Sequence, residues 1–126
     1  MNKSSFHILR VGLAITFLWI GILILKSPES WGGYLQPWAF KLLPLSLSQA
    51  MISAAILDIV IGLLLLVDQL TWLAGGLAVL HLGVVITVSG ITDITVRDIG
   101  LLAGAVVVLT ESLPSHLNPF LKNKNY

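Results

Sequence analysis

Asp58 and His81 are the residues of this chain whose types and placement could handle a proton. Asp58 is the only charge in residues 47–67 (LSQAMISAAILDIVIGLLLLV), and His81 is the only ionisable group in residues 70–89 (LTWLAGGLAVLHLGVVITVS). At bilayer depth such groups are costly and usually face a protein interior with a partner. A carboxylate beside an imidazole can relay a proton or contact the polar head of a bound molecule. It can equally be a polar clamp that only fixes helix packing. The residues alone leave both readings open.

The elements that must position this pair are membrane helices. The chain has 126 residues, is 56% hydrophobic and only 10% charged, with mean hydropathy +0.95. A soluble domain of this size does not usually hide so much apolar surface. The formal net charge of +1 offers no basic surface for nucleic acid. With no cysteine, the chain has no disulfide, thiol redox chemistry or Cys-ligated metal site. His7, His81 and His116 are too scattered for a zinc spacing, so no metal site is expected. Phosphate loops, nucleotide-binding glycine motifs and nucleophile elbows are absent.

Hydropathy predicts a single all-α domain, an integral membrane four-helix bundle over 1–126, with spans near 8–25, 47–67, 70–89 and 96–113. The fourth is apolar only over 99–113, the shortest such run, and needs the Val96–Asp98 turn to reach the interface. Lys3 and Arg10 precede an apolar core as in an export signal, but no small-residue cleavage pattern follows, so a retained anchor is expected. Residues 27–45 are expected to lie at the interface. Pro28 suits a helix start, Gly32-Gly33 a stop, and Trp31, Tyr34, Trp38 and Phe40 the headgroup level. The same segment could cover a cavity between the helices. A polar tail is expected over 114–126.

Spans two and three are joined by a few residues and must form a hairpin. Its centre lies between Gln69 and Leu70, equidistant from Asp58 and His81 along the chain. At 1.5 Å rise per residue both lie ~17 Å from the turn, near the bilayer midplane. Ala54, Asp58 and Gly62 form one small–acid–small stripe, and Ala74, Ala78, His81 and Val85 another. Apposing the stripes would bring the acid to the imidazole. In the fourth span Arg97, Gly100, Gly104, Val108 and Glu111 share a face, which predicts a Gly100–Gly104 packing contact. Glu111 reaches a level where Arg10 could pair with it. Arg97 and Asp98 stand near the opposite mouth, with Asp93 close by. Lys3, Arg10, Lys122 and Lys124 on one side against Lys26, Lys41 and Arg97 on the other place both termini in the cytoplasm.

Several segments resemble DoxX-like membrane proteins across nearly the whole chain. They are Arg10-Val11-Gly12-Leu13, Phe17-Leu18-Trp19-Ile20-Gly21, and Ser27-Pro28-Glu29-Ser30-Trp31 with Tyr34, Pro37 and Trp38. Asp58 followed by Gly62 and the run Asp93-Ile94-Thr95-Val96-Arg97-Asp98-Ile99-Gly100-Leu101-Leu102 complete the set. The family more often has Glu at the position of Asp58. The resemblance implies a four-helix membrane bundle in a prokaryotic cell membrane, associated with a membrane or peripheral redox enzyme. It gives no defined activity, and a redox role by fold analogy is an associational argument.

Three functions fit these residues. The first is an accessory subunit binding a quinone, lipid or other small hydrophobic molecule, with no covalently bound cofactor. Trp19, Trp31 and Trp38 would supply aromatic walls, Asp58 and His81 a protonatable contact, and Arg97 and Asp98 the mouth. The second is a proton-coupled transporter built from small four-helix subunits. The third is a non-catalytic assembly or chaperone subunit. A narrow bundle is compatible with a homodimer. No complete catalytic constellation is visible, so independent enzymatic activity is not expected.

Overall fold

The computed structural model describes residues 1–114 and 117. The expected polar tail, with His116, Lys122 and Lys124, lies outside the described residues apart from Pro114 and Leu117. The described chain is all-α: six helices and no strand. They are α1 (Lys3–Lys26), α2 (Pro28–Gly32), α3 (Pro37–Leu42), α4 (Leu47–Val67), α5 (Thr71–Ser89) and α6 (Thr95–Ser112). Helices α1, α4 and α5 are long and apolar enough to cross a membrane. The fourth expected span, α6, has 18 residues but carries Arg97, Asp98 and Glu111, and is not among those three. The expected interfacial segment is two short helices, each opened by a proline whose fixed φ suits a first turn.

Local signals explain where the long helices begin and end. Ser46 and Gln49 form a reciprocal capping box at the start of α4. The α4–α5 turn is made by Asp68 and Leu70, both with left-handed φ (56° and 48°). Asp68 tolerates that region better than a leucine does. Its Oδ1 also accepts a hydrogen bond from the Thr71 hydroxyl at 2.6 Å, which ties the turn to the first residue of α5. At the start of α6, Thr92 Oγ1 accepts from the Ile94 and Thr95 amides, and Thr95 Oγ1 accepts from the Thr92 amide. These hydroxyls satisfy amides that a helix start leaves unpaired.

The helices associate as two close pairs, α1 with α4 and α5 with α6. Glycine sets both approaches. A Cβ on Gly62 would stand 3.0 Å from the Ala14 carbonyl oxygen and collide with Leu18. One on Gly21 would stand 2.9 Å from the Ala55 carbonyl oxygen. One on Gly75 would stand 3.0 Å from the Leu109 amide nitrogen. The expected Gly100–Gly104 contact does not form. Gly104 rests against Leu9 and Leu13, but Gly100 faces open space. The inward face of α6 is instead Thr95, Asp98, Ala105 and Val108, a helical rotation that turns Arg97 and Gly100 outward.

The apolar core occupies only one end of the bundle. Leu13, Ala14, Phe17, Ile61, Leu65, Ala74, Ala78, Leu82, Ala105 and Val108 pack together. These residues lie in the half bounded by the N-terminus and the α4–α5 turn. Small side chains there (Ala14, Ala74, Ala78, Ala105) let the four long helices converge. The other half, beside α2, is more open.

Arg10 belongs to the closed end. Its Nη1 donates to the carbonyl oxygens of Leu65 and Leu66, and its Nε donates to His7 Nδ1. Asp68 Oδ1 lies 3.7 Å from Nε. The guanidinium therefore caps the C-terminal carbonyls of α4, where a cation is favoured. This corrects the expected Arg10–Glu111 pair: Glu111 instead contacts the N-terminal ammonium of Met1 at 3.3 Å. The free carbonyls at the end of α4 present Arg10 with a nearer and more buried set of acceptors than the exposed Glu111.

Candidate functional site: a cavity above a buried acid–imidazole pair

In the open half lies a cavity of about 890 Å³, walled by α1, α4, α5 and α6 and overlain by Trp31, Tyr34 and Leu35. That volume is within the usual range for small-molecule sites. Its surface is mainly aliphatic: Ile20, Leu23 and Ile24 from α1, Met51, Ala54 and Leu57 from α4, Val84, Val85 and Val88 from α5, and Leu101 from α6. Phe17 and Leu82 line it where it meets the packed core.

Asp58 and His81 lie at that junction. His81 Nε2 stands 2.9 Å from Asp58 Oδ1, with side-chain exposures of 12% and 5%. Both side chains line the cavity. Gly21 makes room for the acid, since a Cβ there would come within 3.4 Å of Asp58 Cβ. The equal depth of the two residues on the hairpin thus becomes a contact. The sequence stripes meet differently from the expected pattern. Ala55 and Ile61, not Ala54, join Asp58 and Gly62 on the buried face of α4, while Ala54 borders the cavity.

Nearer the mouth, Asp98 is 7% exposed and lines the same cavity. Asp58, His81 and Arg97 are the charged groups within its electrostatic reach. Among the described residues its carboxylate has neither a hydrogen bond nor an ion pair. No side-chain oxygen or nitrogen is both buried and unpartnered among them, so the Asp98 carboxylate opens onto the cavity. Arg97 is exposed and borders the mouth.

The aromatic candidates separate. Trp19 and Trp31 line the cavity, although Trp19 also presents much of its ring outward. Trp38 does not line it and is half exposed. It lies on α3, none of whose residues lines the cavity. Arg10 and Glu111 belong to the closed end. Among the described residues no group of acidic, histidine or cysteine side chains could hold a metal ion.

Tyr34, expected in the aromatic segment that could cover a cavity, joins Trp31 at the roof, their ring centroids 6.2 Å apart. The role of Gln36 escaped the sequence reading. Gln36 ties the roof to α5: its amide donates to the Val88 carbonyl at 2.8 Å, and its side chain donates to the Ser89 carbonyl at 3.3 Å. Gly90, at φ +70°, permits this approach, because a Cβ there would stand 2.5 Å from Gln36 Nε2. A glutamine before a proline in a loop carries no pattern that would single it out. The glycine ending an apolar run was the available signal.

In comparisons with known proteins, no family model matches the chain, and no curated protein or solved structure matches it.

Proposed function

We propose that this chain is an integral membrane protein that binds a small hydrophobic molecule with a compact polar head, acting as an accessory subunit to a redox partner. The observation that carries the binding reading is the cavity: aliphatic walls, an aromatic roof, and acidic and basic side chains confined to its floor and one wall. Ligand sites combine these features, a largely apolar hollow with few convergent polar groups. In this reading α6 is a fourth span, carried through the bilayer by its close packing along α5. Its charged residues face the cavity mouth or the two membrane surfaces. Both termini are cytoplasmic, which follows from the lysine and arginine distribution. The redox association and the choice of lipid or quinone as ligand rest on the resemblance to DoxX-like proteins alone.

Transport of a proton-coupled substrate is a weaker reading for this conformation. The packed core lies between the acid–imidazole pair and the terminal end of the bundle, and the cavity lies on the other side of the pair. Mass spectrometry of small molecules retained through purification in mild detergent tests the binding reading. Wild type should carry a stoichiometric hydrophobic compound, and folded Asp58→Asn and His81→Ala variants should lose most of it. A monodisperse wild-type protein that retains nothing, and binds no added quinone or lipid, would count against it.

A further inference from the structure

The charges around the cavity select the kind of head group it accepts. Asp98 is nine-tenths buried, has no hydrogen-bond or ion-pair partner among the described residues, and opens onto the cavity. A carboxylate that opens onto a largely apolar cavity gains from a cation placed beside it. Its place in the first turn of α6 gives it a favourable helix end, yet no backbone N–H donates to its oxygens. Asp58, by contrast, already has His81 beside it.

The ionisable groups on the cavity are Asp58, Asp98, His81 and Arg97, with the Tyr34 phenol in the roof. Asp58 and His81 are paired with one another, which leaves Asp98 and Arg97, and that guanidinium is the most exposed of the charged groups. The carboxylate left without a close partner inside the cavity is therefore Asp98. A cationic head would pair with it and donate to it. A carboxylate or phosphate head would add to the repulsion, and a head that only accepts hydrogen bonds would leave Asp98 unpaired.

We propose that the cavity takes a lipophilic ammonium: an alkyl or aryl chain against the aliphatic walls, and a protonated amine held by Asp98. Asp98 is then the specificity-determining residue, and Arg97 is a like charge at the mouth that limits affinity. This assignment rests on the cavity being a binding site and narrows what that site accepts.

Three probes with one chain and different heads test it: decylamine, decanol and decanoate, titrated at neutral pH onto the full-length protein in maltoside micelles and read by native mass spectrometry. Wild type should bind decylamine at least tenfold more tightly than decanol, with decanoate weakest. Asp98→Asn should erase the preference for the amine while leaving decanol binding within about twofold. Arg97→Gln, on the exposed side of α6, should strengthen amine binding, so the idea stays testable even if Asp98→Asn fails to fold. Decanol and decanoate binding as tightly as the amine would overturn the ammonium assignment while leaving the cavity a binding site. Failure of all three probes to bind wild type would remove the binding reading and this assignment with it.

Discussion

At the scale of single residues, Arg10 and the Asp58–His81 pair are explained by what they touch. Arg10 holds the end of α4 by donating to the Leu65 and Leu66 carbonyls. Removing it leaves buried acceptors unpaired, and charged hydrogen bonds of this kind contribute about 2–3 kcal/mol. Arg10→Ala should therefore lower stability by about that amount in a denaturant titration in micelles. Glu111→Ala should change it by less than about 0.5 kcal/mol, since its contact with Met1 is exposed. The reverse order would restore the pairing of Arg10 with Glu111 that their positions suggested. Asp58 and His81 were legible because each interrupts an apolar run alone, and because a short hairpin fixes equal depth. Arg10's true partners were not, since backbone carbonyls leave no mark in a sequence.

Among the elements, glycine placement decides which helices meet. Gly62 lies against Ala14 and Leu18, so Gly62→Leu must push α1 away from α4. Overpacking of this kind costs about 1–3 kcal/mol. Gly100 has nothing within 4 Å, so Gly100→Leu should leave the stability of the isolated chain nearly unchanged. Thermal unfolding in micelles separates the two, and equal losses would contradict the rotation of α6 described here. Spacing could not distinguish Gly100 from Gly104, because four-residue steps keep both near one side of a helix. The outcome depends on rotation about the axis, which neighbouring helices set. The two short helices between α1 and α4 were likewise readable as elements from Pro28, Pro37 and the glycines. Their attachment to α5 through Gln36 was not, since it depends on main-chain contacts between distant segments.

For the whole molecule, the division into a packed end and an open end follows from where small and large side chains fall. Ala14, Ala74, Ala78 and Ala105 draw the helices together beside Arg10's end. Beyond Asp58 the walls diverge under Trp31 and Tyr34. The absence of cysteine makes the orientation directly testable with single introduced cysteines and an impermeant thiol reagent. With four spans, Asn2→Cys, Gln69→Cys and Ser112→Cys should label from one side of the membrane, and Ser30→Cys and Asp93→Cys from the other. Labelling of Ser112→Cys together with Ser30→Cys would mean that α6 does not cross. Hydropathy made the three apolar spans legible; the cavity was not, because a void is a property of four helices at once.

The central claim is that the cavity is occupied in the working protein. The most direct measurement compares bound small molecules on wild type, Ala54→Trp and Gly12→Trp, purified in parallel from the same membranes and analysed by mass spectrometry. Ala54 borders the cavity, whereas a side chain at Gly12 meets nothing within 4 Å. A hydrophobic compound retained by wild type and Gly12→Trp, and lost from folded Ala54→Trp, is the predicted result. Equal retention by all three proteins would contradict it and place the bound molecule on the outer surface of the bundle.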